Sequence, residues 1–219
     1  MNVAGLQDRG AATVMLKKYA FWPVLAFVLG ALAAEAQYAN PRRDSIEEPE
    51  RVMEATGVKP GMVIGEIGAG GGYFTFWLAR GVGEKGIVYA NDIDRSALAS
   101  LERRRDREGV VNIETVLGTV EDPRLPTGAL DMVFLVNSFH DLERPVELLA
   151  NLLPSLKPDG TVVIMDRERD KDGSRHFLSR AEVEEIVGRS AFEIVRVETF
   201  LRYHNLYILK VRTRAKPEA

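Results

Sequence analysis

The sequence contains no cysteine. That excludes disulfides, thiolate nucleophiles, cysteine-ligated zinc and a lipid-modified N-terminal cysteine together, although it fixes no compartment. Histidine is scarce: there are three, His140, His176 and His204, and none has the HExxH-type spacing that places two imidazoles on one helix face. This spacing argues against a preformed metal site and leaves Asp and Glu ligands open. Net positive charge is also lacking. A formal net charge of −3 lacks the concentrated positive potential that coating nucleic acid requires. The basic run Arg103-Arg104-Arg105-Asp106-Arg107 is interleaved with Glu102, Asp106 and Glu108 and reads as a solvated helix face.

Long apolar runs are missing too. The stretch Tyr19 to Ala33 is shorter than the roughly 20 residues a membrane-spanning helix needs, and Pro23 and Gly30 interrupt it. Lys17-Lys18 precedes this stretch and the small residues Ala34 and Ala36 follow it, which is the order of a secretory signal peptide with cleavage before Gln37. Residues 1–36 are therefore expected to be a signal peptide, and the mature protein periplasmic or secreted. An uncleaved N-terminal membrane anchor is the alternative, and either Met1 or Met15 can serve as the start.

What remains has ordinary globular composition, with 46% hydrophobic and 28% charged residues. Residues 37–60 read as a polar linker and an N-terminal lid helix, with Ser45-Ile46-Glu47-Glu48 in capping-box spacing. Residues 61–213 read as one domain and 214–219 as a tail. Apolar runs of strand length near 62–67, 86–92, 111–117, 130–136 and 160–166 alternate with helical stretches near 73–80, 94–108 and 143–154. Such alternation predicts an α/β fold with a parallel sheet covered on both faces. A further helix, Ser179 to Arg189, leads to Phe192–Phe200 and Leu206–Val211 at hairpin spacing, so the sheet should end in an antiparallel strand. Tyr203 and His204 fall in that final turn and read as exposed loop residues. Asp141 and His140 can also be read simply as loop-shaping and helix-capping residues.

The segment GEIGAGGGYFT, Gly65 to Thr75, sets a glycine-rich turn directly after the first strand. A phosphate-binding P-loop needs a lysine after the glycines, and Tyr73 and Phe74 stand there instead. A dinucleotide turn wants a third glycine for close helix packing, and Tyr73 occupies that position. Glu66, two residues before the turn, would repel a pyrophosphate and favour a cation. Asp92 ends the next strand, about 20 residues on, where a carboxylate accepts hydrogen bonds from both hydroxyls of a ribose. The turn therefore favours a cationic nucleoside ligand without phosphates.

Taken in order, Lys59-Pro60-Gly61, GEIGAGGGYFT, VYANDID, LDMVFLVNSFHDL and LKPDG resemble the motifs of the class I S-adenosylmethionine-dependent methyltransferases, over about residues 50 to 212. The resemblance implies a Rossmann-like seven-stranded sheet of order 3-2-1-4-5-7-6 with strand 7 antiparallel, and S-adenosyl-L-methionine as cofactor. It implies cofactor contacts from Glu66, Gly68, Ala69, Gly70, Gly72 and Tyr73 around the methionine part, and from Asp92 and Ile93 at the ribose and adenine edge. Thr119 and Val120 would lie along the adenine, and Asn137 would close the site after the fourth strand. Many relatives carry Asp where Thr119 stands, so Glu121 or Asp122 could take over that contact. His140 and Asp141 look like the base region of small-molecule O-methyltransferases, with His140 as the catalytic base. His176 is a candidate substrate contact. The segment lacks the Asn-Pro-Pro-aromatic pattern of many amino-methylating relatives, and the missing cysteines count against arsenite methylation. The expectation is thus a small-molecule methyltransferase favouring oxygen acceptors, with no nucleic-acid partner. An exported, non-catalytic domain that binds the cofactor or its product is the alternative. The sequence does not fix the oligomeric state.

Overall fold

The described residues of the computed structural model are 40–212, and those from Arg42 onward belong to one unit. The expected signal peptide or anchor, residues 1–36, and the tail 214–219 lie outside the described residues. Among the described residues no helix is long and apolar enough to cross a membrane.

Two short helices come first, α1 (Pro41–Glu47) and α2 (Pro49–Thr56). The expected capping box at Ser45 is not formed. Ser45 lies inside α1 and its hydroxyl donates to the Arg42 carbonyl, while the break between the helices is made by Glu48 in a left-handed conformation ahead of Pro49. Proline has no amide hydrogen and fits the first turn of a helix, so the chain restarts there. Part of the predicted linker is consequently helical.

The core alternates strands and helices: β1 (Val63–Ile67), α3 (Tyr73–Val82), β2 (Ile87–Asp92), α4 (Arg95–Glu108), β3 (Ile113–Leu117), β4 (Leu130–Val136), α5 (Pro145–Leu152), β5 (Leu156–Arg167), α6 (Arg169–Asp172), α7 (Arg180–Gly188), β6 (Phe192–Glu198) and β7 (His204–Val211). The sheet has the order β3-β2-β1-β4-β5-β7-β6. The pairs within β1 to β5 are parallel, and β7 runs antiparallel to both β5 and β6. The expected sheet is therefore present, including its antiparallel end. LKPDG forms the irregular start of β5, which pairs with β4 across a register shift between Leu130 and Met132.

Strand residues alternate between the two faces. On one face Ile67, Val133 and Leu135 pack with Leu148, Leu149 and Leu152 of α5 and with Val183 and Val187 of α7. Glu66 and Phe134 point to the other face, where Phe134 meets Phe74 of α3 with ring centroids 5.9 Å apart. Because β2 and β4 flank β1, the chain leaves β1 on one side and later returns on the other. The crevice at the carboxyl ends of β1 and β4 is this sheet's topological switch point, the place where ligands bind in open α/β sheets.

Candidate functional site

The glycine turn fills one wall of that crevice. Gly68, Gly70 and Gly72 all adopt positive φ, at 71°, 54° and 84°, a region that residues with a Cβ seldom enter. Two of them also have no room for a side chain. A Cβ on Gly68 would lie 2.6 Å from the Ser138 Cβ, and one on Gly72 would lie 2.9 Å from Leu101 Cγ. The backbone amide of Gly70 donates to Asp92 Oδ2 at 2.8 Å, and that of Asp94 donates to Asp92 Oδ1 at 2.9 Å. Asp92 is thereby locked against the turn. The Ala69 amide donates to the Asn91 carbonyl at 3.0 Å, tying the turn to β2.

Beside the turn lies a pocket of about 170 Å³. One wall is Gly68, Asp92 and Ile93, and Thr119 and Val120 continue it. Ser138, Asp141 and Glu143 face them from the loop after β4, with Ile67, Leu142 and Leu148 as apolar floor. Thr119 is in place, but its hydroxyl is already engaged: it accepts from the Asp122 amide at 3.0 Å in a tight turn. Asn91, which the sequence reading passed over, is buried and holds this loop by donating to the Pro123 carbonyl at 2.8 Å.

Glu66 and Tyr73 are placed differently from a ligand-facing pair. Glu66 is 2% exposed and accepts from the Thr75 hydroxyl at 2.5 Å. Burial pushes its carboxyl up to about 8, more than the Thr75 bond and Arg43 lower it. The Tyr73 hydroxyl donates to Asp44 Oδ1 at 2.6 Å, and the Arg43 guanidinium lies 3.8 Å from the centre of the Tyr73 ring. Both partners sit on α1, so this helix bridges the start of α3 to the loop after β4. There Asn137, also left-handed at φ 51°, donates to Glu47 Oε1 at 3.0 Å.

Glu47 is buried, bonded to Arg43 at 2.7 Å, and burial raises its pKa in spite of Arg43 and Asn137. The Asn137 side-chain oxygen is 2.9 Å from Nε2 of His204. His204 is thus not an exposed loop residue. It opens β7, pairs in register with Arg167 and is fully buried. Burial, reinforced by Arg167, Arg43 and Lys171, pushes its pKa down to about 3, so it is neutral and donates from Nε2 to Asn137. Sequence reading missed Arg43, Glu47 and His204 because they meet only across strand order.

His140 and its surroundings complete the site. Asp166, at the end of β5, accepts from the His140 backbone amide at 2.8 Å, and its Oδ1 is 2.8 Å from His140 Nδ1. With both groups buried, Asp166 fixes the imidazole with its proton on Nδ1 and leaves Nε2 as an acceptor. Burial, which by itself lowers the imidazole pKa, is outweighed by Asp166 and then Asp141, so His140 is held above its ordinary value. His140 Nε2 is 3.3 Å from Asp141 Oδ2, and His176 Nε2 is 3.7 Å from Asp141 Oδ1. Despite the sequence spacing, His140, Asp141 and His176 converge.

A family model described as a methyltransferase domain matches residues 65–164. A crystal structure of a SAM-dependent methyltransferase from Aquifex aeolicus superposes with a TM-score of 0.73 at 27% identity, covering 78% of this chain and 93% of that one. Residues 65–164 match the methyltransferase-domain family, and the fold is that of the class I S-adenosylmethionine-dependent methyltransferases. Among curated relatives, the tRNA (adenine(58)-N(1))-methyltransferase TrmI of Thermus thermophilus is 39% identical over 105 residues, 48% of this chain and 39% of that protein. The ubiquinone/menaquinone biosynthesis C-methyltransferase UbiE of Shewanella piezotolerans is 29% identical over 120 residues, 54% of this chain and 48% of that protein. The chain spans less than half the length of these two relatives.

The family's cofactor, S-adenosylmethionine, fits the residues present. The turn brings bare backbone close to a ligand, Asp92 offers the ribose a carboxylate, and the three acidic side chains lining the pocket suit a cation and oppose a phosphate.

Proposed function

We propose that this protein is a methyltransferase that uses S-adenosylmethionine to methylate a hydroxyl-bearing small molecule. The observation that carries the reading is the buried Asp166–His140 pair next to Asp141, which lines the pocket. When bound, S-adenosylmethionine supplies an electrophilic methyl group on a sulfonium centre. Displacement at such a carbon asks the protein mainly to align the acceptor. A phenol or enol must also lose its proton, and a base held within hydrogen-bond reach accelerates that step.

His140 fills that role. Asp166 holds the Nδ1 proton in place and steadies the positive charge that develops when Nε2 takes the acceptor's proton. Gly68, Ala69, Gly70, Gly72, Asp92, Ile93, Thr119 and Val120 would hold the cofactor, with Glu66 acting from beneath the turn through its charge and Tyr73 and Asn137 through their bonds to α1. Asp141 and Glu143 at the pocket rim favour a neutral or cationic acceptor over a polyanion, since carboxylates repel phosphates. A deprotonated ring hydroxyl can be methylated on oxygen or on an adjacent ring carbon, and we take oxygen as the acceptor.

The test is transfer of a labelled methyl group by the full chain to phenols, quinols, amines and tRNA, with product analysis to separate oxygen from carbon methylation. Labelling of phenols or quinols supports the reading. Labelling of tRNA alone would overturn the small-molecule assignment, and cofactor binding with no transfer to any acceptor would favour a non-catalytic binder. His140→Ala should lower turnover while leaving S-adenosylmethionine affinity nearly unchanged.

A further inference from the structure

The cluster outside the glycine turn combines two imidazoles and one carboxylate, and its geometry has a feature that proton transfer alone does not use. With the Nδ1 proton of His140 committed to Asp166, Nε2 presents a lone pair to Asp141 Oδ2 only 3.3 Å away. Two acceptors facing each other at that distance repel unless a proton or a metal ion lies between them. His176 Nε2 approaches the other oxygen of the same carboxylate at 3.7 Å, and the His140 and His176 rings stand edge to face with centroids 4.8 Å apart. One ligand atom from each of the three residues can be chosen so that all lie within 4.8 Å of one another.

We infer that His140, Asp141 and His176 form a binding site for one divalent transition-metal ion of the zinc type. An ion bound tetrahedrally at about 2.0–2.1 Å from nitrogen and oxygen ligands spaces those ligands about 3.3–3.4 Å apart. The 3.3 Å separation between His140 Nε2 and Asp141 Oδ2 matches that spacing, whereas His176 lies 3.7 Å from the other carboxylate oxygen and the trio spreads to as much as 4.8 Å. Closing the remainder is cheap, because the side chains of Asp141 and His176 are largely exposed and free to turn. His140 is the fixed member. A ligating histidine usually donates its second ring hydrogen to a carboxylate, which orients the ring and raises its basicity, and Asp166 makes that contact here. Two nitrogens and one carboxylate select a borderline ion such as zinc or cobalt over magnesium or calcium, which prefer oxygen-rich shells.

Three protein ligands leave a fourth position open, the arrangement of catalytic rather than structural zinc sites, and Asp141 lines the pocket. Binding of the ion stands apart from the methyl-transfer reading. If both hold, the ion replaces the imidazole as the group that acidifies the acceptor hydroxyl, because one nitrogen cannot be a ligand and a base at once.

The test uses the untagged full chain stripped with a chelator and titrated with Zn²⁺ by calorimetry and with Co²⁺ by visible absorption, where a tetrahedral site gives intense d–d bands. One equivalent of either ion should bind, and excess Mg²⁺ should not displace it. Asp141→Asn and His176→Ala, both at exposed side chains, should each weaken Zn²⁺ binding at least tenfold and abolish the cobalt bands while the thermal midpoint of the metal-free protein stays put. Absence of stoichiometric binding overturns the site, as does binding that both variants leave unchanged. These readouts need no methyl acceptor, so failure of the methyl-transfer assay leaves them interpretable.

Discussion

Glu66 offers the sharpest test of the fold's electrostatics. The carboxyl is buried beneath the glycine turn with Thr75 as its hydrogen-bond partner, and its pKa is raised from 4.5 to about 8. A folded-state value above the unfolded one means that the native protein keeps a proton which the unfolded chain has released. That contribution to stability is complete below about 4.5 and is lost as pH rises through about 8. Each pH unit inside the window changes stability by about 1.4 kcal/mol. Between pH 6 and 8 the loss is therefore at most about 3 kcal/mol, or roughly 6–12 °C in midpoint for a chain of this size.

Glu66→Gln keeps the shape and the acceptor for Thr75 but cannot ionise. Denaturant unfolding of both proteins at several pH values cancels every other titrating group in the difference. The expected outcome is that the variant gains on the wild type as pH rises from 6 to 8. A difference that stays constant within about 0.5 kcal/mol would refute the argument that a buried, protonated carboxyl sits under the turn. A cationic ligand on the turn should draw that proton off. Calorimetry in buffers of different ionisation enthalpy should accordingly show proton release when the wild type binds S-adenosylmethionine near pH 7, and little when Glu66→Gln does.

Gly68→Ala should destabilise the protein by about 1–3 kcal/mol, because it places a Cβ at positive φ and 2.6 Å from Ser138; chemical denaturation measures this, and a neutral result would mean the turn is softer than its geometry. Asp92→Ala removes the acceptor that fixes the Gly70 and Asp94 amides, and calorimetry should find S-adenosylmethionine binding weakened at least tenfold. Asn137→Ala leaves Glu47 and His204 without their shared partner in a buried setting, at a cost of about 1–3 kcal/mol per unsatisfied group; unfolding midpoints unchanged from wild type would count against that network. Asp166→Asn should lower turnover through loss of imidazole orientation, with cofactor affinity held, which steady-state kinetics and calorimetry together separate.

Much of the architecture was legible because it is written in local pattern. Apolar runs at strand length, the helical stretches between them and the short last hairpin lead to a parallel α/β sheet with an antiparallel end, while the strand order came from the resemblance. Gly68, Gly70 and Gly72 were legible for a related reason: a tight strand-to-helix turn demands positive φ, and glycine meets that demand locally. Asp92 follows from strand length, since the end of β2 must lie beside the end of β1 in a parallel pair. The capping box at Ser45 failed because its spacing competes with the Glu48-Pro49 break, and backbone conformation rather than side-chain spacing decided where the helix restarts.

What the sequence determined by itself is thus the strands and their direction, the turn and the carboxylate beside it. What only the tertiary structure decided is which side chains meet across strand order. Asp166 reaches His140 because β5 lies next to β4. His204 is buried rather than exposed because β7 inserts between β5 and β6, and His176 joins His140 and Asp141 because the loop after α6 folds back over the switch point. Each of these contacts depends on the order of strands in space, which no local periodicity encodes.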